Sequence, residues 1–185
     1  MDNPTNRNVQ IGNICIQWSS LEYMLATGIW LLIGVHQDVG KIVTGNLDAK
    51  QRAMMAHALA WQTNAPVPYK QAVKQVLDEM RESLIQRRNE AVHAIHFGDV
   101  SQDTIEVELH RGKGGREPRQ LRNDDLDKLG KSINAASTLL ANANIELARH
   151  HVSKLGFATE FAEMAETIRQ NNSITKVVGE TNGPE

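Results

Sequence analysis

The chain has a single cysteine among its 185 residues, Cys15, so no disulfide can close within it and no cysteine-based metal site can form. It also lacks a long hydrophobic run. The longest, Tyr23 to Val35, falls short of the roughly 20 apolar residues that span a bilayer. No basic segment precedes that run and no small-residue cleavage site follows closely, so it does not read as a signal peptide. An excess of charge of one sign is missing too. Twenty Lys and Arg stand against 22 Asp and Glu, a formal charge of −2, which gives no general grip on a polyanion. Any contact with nucleic acid must then come from local patches. Repeats and low-complexity tracts are absent as well. These absences lead us to expect a cytoplasmic protein with no membrane association.

What remains is ordinary globular material, 41% hydrophobic and 23% charged, long enough for one domain with its own core and too short for two. The first apolar pattern runs from about Val9 to Ile33. Ile11, Ile14, Trp18, Leu21, Leu25, Ile29 and Leu32 recur at spacings of three and four, one face of a helix that Gly34 and the polar run after it close. A second helix is expected from Asn46, as N-cap, to about Gln62, before the breaker Asn64-Ala65-Pro66-Val67-Pro68. The third is expected from about Pro68 into Arg87-Arg88, with Val73, Leu77, Met80 and Leu84 on one stripe. Met54, Met55 and the three tryptophans are read as core.

The period then changes. Ile105, Val107 and Leu109 alternate with polar residues, Gly112 to Gly115 marks a turn, and Arg116 to Leu121 reads as a returning strand. Asn123-Asp124-Asp125 opens the last long helix, which carries Leu126, Leu129, Ile133, Ala136, Leu140, Ala143 and Leu147 on one face. A weaker helix is expected from Thr159 to Arg169. The fold class is therefore all-α: an up-and-down helical bundle with a small β-hairpin inserted before the last long helix. Residues 1–170 are expected to form the single domain, and 171–185 a mobile tail.

The third helix raises the chemical question. At 100° per residue, Leu77, Leu84 and Arg88 lie within about 40° of one another. Arg88 thus continues an apolar stripe, where a charge without a partner is costly, and Arg81 and Arg87 flank the same stripe. Such a cluster calls for an acid or a bound anion. Five positions after Arg88 comes His93. Spacing alone carries little weight. With eleven Arg and seven His, an arginine followed by a histidine five to seven residues on arises about once by chance, and Arg52–His57 has the same spacing. Context separates the two pairs: Arg52 is followed by alanine near a helix start, whereas Arg88 has Arg87 before it and Asn89 after it.

Arg88-Asn89-Glu90-Ala91-Val92-His93 resembles the Arg-x(4 to 6)-His motif of the HEPN family, in the form where a polar residue follows the arginine. A long helix leads into the motif and Gly98 follows it. The fragment Trp18-Ser19-Ser20-Leu21-Glu22-Tyr23 is similar to the opening helix of small bacterial HEPN-like proteins. Two departures stand out: Ala94 follows the histidine where many relatives have glycine, and Ile95 occupies the tyrosine position of the His-x-Tyr toxin subset. The resemblance implies a metal-independent endoribonuclease whose site is assembled from two protomers. Its catalytic residues would be Arg88, Asn89 and His93, and no cofactor would be needed. A toxin or defence setting, with an antitoxin protein as a further partner, belongs to the same expectation.

The residues suit that chemistry. A histidine titrates near pH 6.5, so His93 suits taking a proton from a ribose 2′-hydroxyl or returning one to the departing 5′-oxygen. Arg88 offers a planar fork to the scissile phosphate, and Asn89 either orients that phosphate or fixes the histidine ring. No metal-ligand cluster is apparent, since His150 and His151 are adjacent and point apart on a helix. Around this centre, Arg87, Glu22 and His96 are candidate substrate-binding residues. Glu22 reads equally as a structural salt bridge to Arg87 or Arg88. His96 either assists His93 or packs within Ile95-His96-Phe97. His110, Arg111, Lys113, Arg116, Arg119 and Arg122 make a basic hairpin, a solvated turn or a collector of RNA phosphates. In an unbroken helix Arg88 and His93 would lie about 140° apart. Either the helix ends between them or each faces a cleft shared with a second copy, and a homodimer is expected. Two other readings stay open: a non-catalytic module binding RNA or a nucleotide, and a plain helical interaction protein.

Overall fold

The computed structural model describes residues 5–93, 95–97, 104–108 and 119–155, with side chains for 7–93 and 121–150. Helix α1 runs Thr5–Ile33, α2 Gln37–Thr44, α3 Ala49–Gln62 and α4 Val67–Glu79. A π-helical turn, Met80–Leu84, joins α4 without a break to α5, Ile85–His93. Strands β1 (Ile95–Phe97), β2 (Thr104–Glu108) and β3 (Arg119–Arg122) precede α6, Asn123–Leu155. The chain is an all-α helical bundle carrying one small sheet.

Helix α1 is its axis. From Met24 to Leu32 every residue is buried, so this half is apolar all round rather than on one face, as befits a helix enclosed by neighbours. Helices α1 and α6 run in the same direction. Arg7 Nε donates to Asn123 Oδ1 at 3.2 Å near one end, and Asn144 Nδ2 donates to the Met24 carbonyl at 2.9 Å further up. The α4–α5 helix descends against them, with Tyr69 over Gly28 and Arg88 against Trp18. The apolar positions read from the sequence on the third and last helices are all buried. Among the described residues no single helix is long and apolar enough to cross a membrane.

Three departures from the sequence reading follow from local chemistry. The polar run after Gly34 contains α2, whose buried residues are Gly40 and Thr44 instead of an apolar stripe. Gly40 lies directly on the Trp30 indole, and Trp30 Nε1 donates to Thr44 Oγ1 at 3.1 Å. By carrying the chain back down, α2 lets α3 ascend beside α1. Helix α3 then starts at Ala49, where Asp48 and Gln51 form a reciprocal capping box, and not at Asn46. Its buried face is Ala49, Ala53, Ala56 and Ala60, small enough for close approach to α1. Trp18 and Trp30 are core, but Trp61 is 50% and Met54 45% exposed, which corrects their assignment to the interior.

The expected hairpin is β2–β3, paired antiparallel with Ile105 opposite Leu121. It gains a third strand, β1, whose Ile95, His96 and Phe97 pair with Glu108, Val107 and Glu106. A three-residue strand directly after a helix has too little alternation to be legible. The turn at Gly112–Gly115, the helix expected at 159–169 and the tail at 171–185 lie outside the described residues. Strand β3 runs straight into α6, where the Asp125 carboxylate accepts the Arg122 backbone N–H at 3.2 Å.

Candidate active site

The long helix reaches the site through its π turn, a geometry that adds one residue to a turn and recurs at functional positions. Met80 and Leu84 both stay buried across it, and Arg88 follows one turn later. The helix does not end at Arg87–Arg88, as the sequence suggested, but continues to His93. Of the three guanidiniums expected over the stripe, Arg81 is exposed and Arg87 half-buried with no bond among the described residues. Arg88 alone occupies the stripe. Among the described residues no acid pairs with it, and it lies over an aromatic face, with Cζ 5.5 Å from the centroid of a Trp18 ring.

Arg88 Nη1 donates to Asn89 Oδ1 at 3.2 Å and also contacts His93 Nε2. One chain therefore brings Arg88, Asn89 and His93 together, although the helix between them is unbroken. The length of the arginine side chain bridges the 140° that the backbone leaves. Need for a second copy no longer follows from this geometry. A guanidinium has no acceptor, so His93 Nε2 accepts, which puts the proton of the neutral ring on Nδ1. Asn89 binds the arginine in this arrangement. Arg88 Nε is buried without a hydrogen-bond partner, while His93 is exposed at the end of α5.

Glu22 is not paired with Arg87 or Arg88. Its Oε1 accepts from Trp18 Nε1 at 3.1 Å and its Oε2 lies 3.8 Å from Arg52 Nη1. Arg52 also donates to the Thr44 carbonyl from Nε at 3.4 Å and Nη2 at 3.2 Å, tying the end of α2 to α3. The competing pair is thereby separated: Arg52 turns to α1 and α2, while the His57 ring stacks on Trp61 at 4.5 Å. His96 is placed only by its strand pairing with Val107, its side chain lying outside those described. The basic hairpin from His110 to Arg116 also falls outside the described residues.

Two residues near the site had no assigned role in the sequence reading. Trp18 is core, yet its face seats Arg88, and its i, i+4 spacing to Glu22 is the signal that was there to be read. Glu90, inside the motif, is buried and accepts from Gln86 Nε2 at 2.8 Å. Among the described residues no three His, Cys, Asp or Glu side chains gather closely enough to hold a metal ion. Comparison with known proteins finds no family model, no curated protein and no solved structure that matches this chain.

Proposed function

We propose that the chain is an endoribonuclease of HEPN type, cleaving RNA by 2′-hydroxyl transesterification at Arg88 and His93 without a metal. The observation that carries the reading is the direct contact between Arg88 Nη1 and His93 Nε2. It supports the reading because a guanidinium suited to phosphate and an imidazole suited to proton transfer lie within reach of one substrate. In the reaction, Arg88 Nη1 turns from His93 Nε2 to the phosphate, and Nε2, its lone pair freed, takes the 2′-hydroxyl proton as the 2′-oxygen attacks the adjacent phosphorus. The bond from phosphorus to the 5′-oxygen breaks, the protonated His93 ring returns its proton to that oxygen, and a 2′,3′-cyclic phosphate is left. Arg88 bears on the charge that grows on the phosphoryl oxygens, and Asn89 keeps the arginine in place. Arg87 and His96 are assigned to substrate binding. A homodimer remains part of the proposal because symmetric pairs are the commonest oligomers. So does a toxin or defence setting with an antitoxin partner.

A second reading, a non-catalytic cleft for RNA or a nucleotide, draws on the same contact, because Arg88 occupies the lone pair a general base uses. Incubating the purified protein with mixed RNA in EDTA separates them. Cleavage is expected, and His93→Ala should lower it about 10²- to 10⁴-fold with RNA affinity little changed. Arg88→Lys, which keeps the charge but loses the fork, should impair turnover more than binding. His57→Ala, from the competing pair, should leave both unchanged. RNA bound but never cut by the wild-type protein establishes the second reading.

A further inference from the structure

We infer that Trp18 is a positioning residue for Arg88, and that Glu22 and Arg52 hold Trp18 in place for that task. The inference rests on the Arg88–His93 reading and adds to it a brace drawn from α1 and α3. Trp18 is 6% exposed and lies under the Arg88 guanidinium. Its indole N–H is fixed by Glu22 Oε1, the other Glu22 oxygen faces Arg52, and Arg52 is anchored on the Thr44 carbonyl. The line His93, Arg88, Trp18, Glu22, Arg52 thus joins α5 to α1, α3 and the end of α2 without a gap.

Its consequence is geometric. An arginine side chain is long and has many rotamers, and ordering it from solution costs entropy at each binding event. A guanidinium seated over an indole face is held by the protein on one side and leaves its remaining N–H groups for a phosphate. Arg88 shows this division. Nε is buried and unbonded, Nη1 is turned to Asn89 and His93, and Nη2 has no hydrogen bond among the described residues. An apolar residue of similar bulk at position 18 would fill the core but leave the fork unaimed. The Glu22–Arg52 pair, with side chains 31% and 17% exposed, is sheltered enough to keep the indole in one orientation.

The test joins turnover to a measurement that needs no turnover. Trp18→Phe keeps an aromatic face and loses the N–H anchor, whereas Trp18→Leu loses the face. Glu22→Gln keeps an acceptor for the indole and loses the charge facing Arg52. With folding verified by circular dichroism, kcat for RNA cleavage should fall about 10- to 100-fold in Trp18→Leu, the scale of a misplaced catalytic group, while RNA affinity shifts far less. Phe should restore most of the loss, and Glu22→Gln should fall between. Independently, the Arg88 side-chain NMR resonances should lie upfield from the indole ring current in the wild type and return to ordinary positions in Trp18→Leu. Folded Trp18→Leu with wild-type kcat, or Arg88 resonances that do not respond to the substitution, overturns the inference. If Trp18→Leu does not fold, the Phe and Gln variants decide it by the same two readouts. A ring-current shift in a protein that cuts no RNA upholds the brace and defeats the nuclease reading, so the two failures are distinct.

Discussion

Replacing Gly28 by alanine tests the packing of α4 on α1 through a single methyl group. A Cβ at Gly28 would be driven into the Tyr69 hydroxyl, with Asn144 Oδ1 at 2.9 Å and Tyr69 Cζ at 3.2 Å. Tyr69 is 1% exposed, and burial pushes its phenol well above the ordinary value, so a neutral hydroxyl with nowhere to withdraw meets the added carbon. Asn144 is tethered to the Met24 carbonyl. Alanine is worth about 0.5–1 kcal/mol more than glycine inside a helix, and overpacking a tight core costs about 1–3 kcal/mol. Because both neighbours are held, the upper end applies, and a net loss of about 2 kcal/mol is expected. For a domain of this size that lowers Tm by about 4–8 °C. Gly12 on the same helix is the control, since nothing lies within 4 Å of its Cβ position. There alanine should stabilise by about 0.5–1 kcal/mol. Urea unfolding followed by far-UV circular dichroism measures both. In a Tyr69→Phe background, which removes the hydroxyl, Gly28→Ala should cost markedly less, a coupling that a double-mutant cycle reads directly. If Gly28→Ala raises the midpoint as Gly12→Ala does, the close approach of α4 to α1 is refuted.

Asp48→Ala opens the capping box at the start of α3 and should cost about 1 kcal/mol by the same unfolding assay, whereas Asp48→Ser should retain most of it. Lys74 donates to Asp78 at 2.6 Å, and that hydrogen bond holds the Asp78 carboxyl below its ordinary value. The stability it brings is present above the unfolded-chain value of about 3.9 and is lost as pH falls through the folded value. In Lys74→Met the Asp78 titration, followed by carbon NMR, should move back up. Sedimentation at micromolar concentration should give a dimer, and a monomer there defeats the homodimer while leaving the Arg88–His93 contact, made within one chain, intact.

Helices that bury a regular stripe were legible in the sequence. Residues from Leu126 to Leu147 alternate at three and four and are buried, because α6 has one neighbour-facing side along its described length. Helix α2 was not legible, since its inner residues are Gly40 and Thr44 while Val39, Ile42 and Val43 face outward, the reverse of the usual pattern. The motif was legible as Arg88, Asn89 and His93. What escaped was how they meet. Angular counting at 100° per residue separates Arg88 from His93, and only the reach of the side chain closes the gap. Glu22 stood out as an acid near the apolar face, but its partner is Arg52, 30 residues away in sequence. Arg52 itself had been separated from the site by its alanine neighbour, and that criterion says nothing about the brace it supports.

The parallel pairing of α1 with α6 also bears on how the chain is made. Met24 and Asn144, like Arg7 and Asn123, are bonded partners more than 100 residues apart. During synthesis α1 therefore emerges long before the helix that encloses it. At about 5–20 residues per second that delay is about 6–24 s, in which the apolar girdle from Met24 to Leu32 has only nearer segments to cover it. A nascent chain in that interval is a client for whatever shields apolar surface at the ribosome. Substitutions that weaken the early α1–α3 packing, at Ala53, Ala56 or Ala60, should then reduce soluble yield more than the stability of the finished protein.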